Sequence, residues 1–139
     1  MTTLSTARRS YLADQVLAAS PARLVTMLYD RLMLDLSRAE TAQRAGEWSQ
    51  ATTQLVHAQS IVTELMTTLD VDAWDGAAQL HAIYVYALST LLTASSTRDA
   101  ELTASVCELL EPIRQAWHDA AAALPATRSA APNGSLGVA

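Results

Sequence analysis

Gly76–Thr97 reads GAAQLHAIYVYALSTLLTASST, twenty-two residues with no Asp, Glu, Lys, Arg or Pro. A run of that length without a breaker predicts one unbroken helix. A helix on the outside of a small globular domain carries charge on its outward face. The missing charge must therefore be explained by lipid, by the chain's own core or by another chain. Length alone would let the segment cross a bilayer. Gln79 and His81 within it, the Ser and Thr that close it, and flanking charges of both signs (Asp72, Asp75, Arg98, Asp99) argue against a span. No cluster of cations orients it either. Membrane insertion is not expected.

The sequence on either side supplies partner helices. Ser20-Pro21 places a favoured N-cap before a residue tolerated at the first helical position. The helix it starts runs to about Ala45, where Gly46 stops it. Leu24, Val25, Leu28, Tyr29, Leu32 and Leu36 form its broad apolar face, and Met27 and Leu34 a narrower second stripe. A second helix, Trp48–Leu69, repeats Ala51, Leu55, Ala58, Val62, Leu65, Met66 and Leu69 at steps of three and four. Asp70–Gly76 is a turn rich in capping residues. Thr97-Arg-Asp99 makes the next turn and N-cap. The fourth helix, Asp99–Leu124, aligns Leu102, Val106, Leu109, Leu110, Ile113, Trp117, Ala120 and Leu124, with Pro112 expected to kink it. Four such helices with short connections predict an all-α fold, an antiparallel up-down four-helix bundle over residues 20–124. Residues 1–19 form an N-terminal segment with a short helical portion, and 125–139 a disordered tail.

Composition narrows the functional classes. A chain of 139 residues is one domain, and 17% charged residues against half apolar is a globular balance. The net charge of −5, with nine scattered Arg and no Lys, excludes a nucleic-acid surface. A lone Cys107 forms no internal disulfide and fits a reducing, cytoplasmic setting. The start, MTTLSTARRSYLADQ, has no apolar run behind its arginines and reads as no signal peptide.

Catalytic patterns are missing. Bundle metal sites use Glu-x-x-His pairs, yet the residues three before His57, His81 and His118 are Gln54, Ala78 and Gln115. No His lies four residues from another. The Asp70-x-Asp72 turn fails as a calcium loop at Trp74 and His81. Cys107 lacks a nearby His and reads as a half-buried small residue. No enzyme activity, metal or other cofactor is expected.

The apolar surplus is then the informative feature. In the third helix Leu80, Ile83, Tyr84, Ala87, Leu88 and Leu91 can face inward, which leaves Val85, Tyr86 and Leu92 directed elsewhere. Together with Ile61, Met27 and Leu34 these are the positions that a four-helix core uses least, and they are assigned to a partner. An amphipathic partner segment can lie helix-in-groove on such a surface. Residues 4–18, with Leu4, Tyr11, Leu12, Val16 and Leu17, can cover the same groove when no partner is bound. A generic helical adaptor or dimerising regulator is the alternative reading.

Ser10–Leu32, SYLADQVLAASPARLVTMLYDRL, resembles the N-terminal signature of the flagellar export chaperone family FliS. Tyr11, Gln15, Val16, Ala19, Ser20, Pro21, Leu28, Tyr29 and Asp30 carry that likeness. Further matches are the Gly after the first helix, HAQSIVTEL at His57–Leu65, the Thr68–Asp70 turn and Trp117, so the resemblance spans about residues 10–124. It implies a cytoplasmic bundle that binds the disordered C-terminal segment of flagellin, prevents premature polymerisation and delivers it to the export gate, using neither nucleotide nor metal. The export gate protein and flagellar regulators are further candidate partners. Tyr11 and Val16 join the partner-binding residues from the family motif, whereas Tyr29 and Asp30 are read as structural, Asp30 capping or pairing locally. Two departures stand out: Arg31 where the family often has Gly, and Pro112 within the last helix.

Overall fold

The computed structural model describes residues 21–123. Among them are four helices: α1 Pro21–Arg44, α2 Trp48–Thr68, α3 Ala77–Ser96 and α4 Ala100–Ala122. The expected N-terminal segment and tail, and Ser20 and Leu124, lie outside the described residues. The helical run of α4 continues through Pro112, which is exposed and leaves the Glu108 carbonyl without its i+4 donor.

Helix ends follow local chemistry. Gly46 adopts φ +75° and donates to the Gln43 carbonyl (3.1 Å), while Glu47 donates to that of Ala42 (2.8 Å). This left-handed C-terminal closure suits glycine, which has no Cβ to clash. The end of α3 repeats the pattern with an arginine: Arg98, at φ +55°, donates to the Ser95 carbonyl and Asp99 to that of Ala94. A side chain in that region costs roughly 1 kcal/mol. Arg98 recovers part of it by stacking its guanidinium 5.0 Å from the Trp48 ring centroid, a contact worth about 0.5–1 kcal/mol at an exposed site. Asp99 caps α4 as expected, its Oδ1 accepting from the N–H groups of Glu101 (3.0 Å) and Leu102 (3.3 Å). Gly76 has another reason to be glycine. A Cβ there would lie 2.1 Å from the Trp74 ring.

The described residues fall into two compact units, 21–26 with 115–123, and Met27–Arg114. In the smaller, Thr26 donates to the Arg23 carbonyl (2.7 Å), Gln115 donates to Asp119 (3.2 Å) and Trp117 is half-buried. In the larger, side-chain contacts define the topology. Tyr29 meets Tyr84 and Gln43 meets Ala94, so α1 and α3 run parallel. Gln43 also meets Thr103 and Asp30 meets Arg114, so α1 and α4 run antiparallel. Trp48 under Arg98 sets the start of α2 beside the end of α3. This is the antiparallel up-down four-helix bundle.

Its core is apolar with a few satisfied polar groups. Leu32, Leu36, Leu55, Val62, Leu91, Val106 and Leu110 are fully buried. On α3, Leu80, Tyr84, Ala87 and Leu91 of the expected inward face are buried, with Ala77 and Ala94, while Ile83 and Leu88 are half-buried. The stripe of α4 is shallower than its pattern implied: Leu102, Leu109 and Ile113 are half-buried, and Ala120 is exposed. Thr103 is buried instead, its hydroxyl donating to Gln43 Oε1 (2.7 Å) while Gln43 Nε2 donates to the Ala94 carbonyl (3.2 Å). One buried Gln thus ties three helices. Asp30 reaches beyond its own helix. It accepts from Arg114 of α4 (3.1 Å), because the antiparallel crossing brings that guanidinium beside it.

Tyr29 and Tyr84 share a buried O–H···O bond of 2.6 Å between rings 6.5 Å apart. Burial pushes both phenols above their usual range, so neither ionises near neutrality. Removing one hydroxyl strands the other, which costs about 1–3 kcal/mol, whereas removing both leaves an apolar contact of similar shape. Urea unfolding of Tyr29→Phe, Tyr84→Phe and the double variant should therefore show the double losing less than the sum of the singles. Strict additivity would show that the bond contributes nothing.

Candidate functional site: a charge-free outer face on α3

The outward side of α3 is exposed over its whole length. Ala78, Ala82, Val85, Ser89, Leu92 and Ser96 recur at steps of four and three, with Gln79, Tyr86 and Thr93 alongside. At 1.5 Å per residue the stripe is about 27 Å long. Val85 (48%), Tyr86 (59%) and Leu92 (58%) keep about half their surface in solvent. The Ser and Thr groups add little polarity, since Thr93 donates to the Ser89 carbonyl (3.2 Å) and Ser96 to that of Thr93 (3.3 Å). The missing charge noted in the sequence thus marks an exposed face.

The other expected residues divide. Met27 and Leu34 are exposed on α1. As parallel partners in an up-down bundle, α1 and α3 are diagonal, so their outer faces turn away from each other. The fold does not gather Met27 and Leu34 with Val85, Tyr86 and Leu92 into one patch. Ile61 is a correction: only 7% exposed, it belongs to the core, because α2 packs it beside Val62 on a wider inward face than the heptad-like pattern suggested. Tyr11 and Val16 lie outside the described residues. Sequence reasoning missed Val56, Val71 and Trp74, all exposed. Val56 was detectable as an apolar residue off the α2 stripe, while Val71 and Trp74 sit in a turn where periodicity says nothing.

Magnitudes limit what α3 does alone. Covering the exposed halves of Val85, Tyr86 and Leu92 is worth roughly 1 kcal/mol each, about 3 kcal/mol in all. Ordering a disordered segment costs about 2–5 kcal/mol. An occupant of this face must therefore gain contacts elsewhere on the bundle as well. A charge on the face would raise the threshold further, since desolvating it without a partner is costly.

Polar clusters elsewhere are few. Asp35, fully buried on α1, accepts from Arg31 Nε (3.0 Å) and bonds the Nδ1 of His57 on α2. His57 itself is exposed. The signal for Asp35 was its place beside Leu36 on an otherwise apolar stripe. Among the described residues no group of three or more His, Cys, Asp or Glu could hold a metal ion, and no helix is long and apolar enough to cross a membrane.

Cys107 is half-buried, and burial, followed by the charges of Glu40, Glu111 and Glu108, pushes its thiol up to about 11. It is a thiol, not a thiolate, at neutral pH. Alkylation of the native protein should accelerate only as pH approaches about 11. A plateau near pH ~8.5, the ordinary thiol value, would contradict the assigned environment. The folded state also holds this proton more tightly than the unfolded chain. Its contribution to stability is present at neutral pH and is lost as pH rises from the ordinary value towards about 11.

The family model described as "Flagellar protein FliS" matches residues 4–124. The chain is also similar to the flagellar secretion chaperone FliS of Bacillus subtilis (strain 168), 28% identical over 111 residues that cover 80% of this chain and 83% of that protein.

Proposed function

The chain belongs to the FliS family of flagellar proteins, and from that premise we propose that it is an export chaperone binding the disordered C-terminal segment of flagellin. The observation that carries this reading is the exposed, charge-free outer face of α3. A disordered client segment folds against that face as an amphipathic helix and closes Val85, Tyr86 and Leu92 from water. Because the α3 face alone only offsets the ordering cost, the segment continues around the bundle to further apolar residues, Met27 and Leu34 on α1 among them. Held in this way in the cytoplasm, flagellin cannot polymerise and remains competent for delivery to the export apparatus. The step is binding, and no catalysis is assigned to it. We further propose that residues 4–18, which lie outside the described residues, compete with the client for this face.

Calorimetry with the C-terminal segment of the cognate flagellin tests this. The expected result is a one-to-one complex whose affinity falls at least about tenfold for Val85→Asp or Tyr86→Asp, since each buries an unpaired carboxylate. Deletion of residues 1–15 should raise the affinity in the same titration. Unchanged binding by both aspartate variants, or a stable dimer closed through α3, would overturn the proposal.

A further inference from the structure

On the other side of α2 a hollow of about 360 Å³ opens between α1 and α2, lined by Arg31, Thr53, Gln54, Val56, His57 and Ser60. Arg31 is the one permanently charged residue of its lining. Thr53 and Ser60 spend their hydroxyl protons on the carbonyls of Ser49 and Val56, 3.2 Å away in each case, and so present acceptors. Arg31 gives only its Nε to Asp35, and its side chain is 52% exposed, which leaves both Nη groups for the hollow. Asp35 itself is fully buried, held on one side by Arg31 and on the other by His57. It fixes the guanidinium from behind without lining the hollow, and no carboxylate lines it. A second hollow further along the same groove carries Arg38 and Glu47, charges of both signs, and selects nothing.

From this arrangement we infer that the α1–α2 hollow receives a carboxylate of the client segment, bound by the Nη groups of Arg31, with Val56 and the neighbouring Leu34 covering the apolar atoms beside it. Asp35 and His57 act as positioning residues. The planar guanidinium fork matches a carboxylate and discriminates against its amide. A segment lying on α3 can reach the hollow across the outer side of α2, which exposes Thr52, Val56, Thr63 and Thr67 and only one carboxylate, Glu64. No Lys or Arg lies between Arg44 and Arg98, so such a segment meets no arginine on α2 or α3 before it reaches α1, where Arg31 lines a hollow free of carboxylates and Arg38 one that also holds Glu47. The inference rests on the client reading given above, and it adds a chemical requirement: a carboxylate, on a side chain or at the chain terminus, at the end of the apolar contact.

The test is a double-mutant cycle by calorimetry on the full chain, crossing Arg31→Gln with client peptides in which each acidic side chain, or the terminal carboxylate, is converted in turn to its amide. One amidation should weaken binding to the wild-type chain by about tenfold, the range of a charge-assisted hydrogen bond, and should cost nothing further on Arg31→Gln. Amidation is read on the unaltered protein, so that arm stands even where Arg31→Gln unsettles Asp35. Equal losses for Arg31→Gln with the amidated and native peptides would show a merely structural arginine and overturn the inference. If no amidation weakens binding while Val85→Asp still does, the hollow is unoccupied and the α3 reading survives. If neither matters, both fall.

Discussion

Polar contacts between the helices converge on α1. Tyr29 reaches Tyr84 on α3, Asp35 reaches His57 on α2, Gln43 bonds α3 and α4 at once, and Asp30 and Arg44 pair with Arg114 and Glu101 of α4. Three of these α1 residues, Tyr29, Asp35 and Gln43, are buried, where a polar atom without a partner costs more than the bond yields. Register and direction of the other three helices are thereby set against one helix. Apolar packing would tolerate several alternatives in register, because it is non-directional. The buried hydrogen bonds distinguish between them.

That division of labour frees α3. Its inward side contributes one hydroxyl, Tyr84, and one carbonyl, Ala94, to the α1 network. Its outward side carries no Asp, Glu, Lys or Arg to pair with a neighbouring helix, and Thr93 and Ser96 turn their hydroxyls back on their own helix. A face of this kind is inexpensive to dehydrate, which a surface of ordinary lysines and glutamates is not. Exposed Val, Tyr and Leu left in water would normally be an association hazard. Under the proposed function the same feature is a capacity to take up apolar sequence from another chain.

The charged features are arranged with similar economy. Arg98 occupies a left-handed position that Gly46 fills at the other helix end, and the stacked Trp48 ring accounts for the use of a larger residue. Arg31 answers the buried Asp35 across one helical turn while most of its guanidinium remains outside. In both places an arginine serves a structural partner with one part of the side chain and meets solvent with the rest, which the long stem and planar head allow.

The sequence by itself determined the four helices, their approximate limits, the inward stripe of α3 and the lack of charge on its other side. These follow from periodicity, Pro and Gly positions and capping residues, all of which act within a few neighbours along the chain. Ile61 and Ala120 were misplaced because a periodic pattern gives the direction of a stripe but not its width, which depends on how closely the neighbouring helices approach. Only the tertiary structure decided that Asp30 pairs with Arg114, that Asp35 is buried against Arg31 and His57, and that Met27 and Leu34 face away from Val85, Tyr86 and Leu92. Apart from the one-turn Arg31–Asp35 pair, those relations join residues far apart in the chain, and local propensity carries no information about which distant side chain will be waiting when two helices cross.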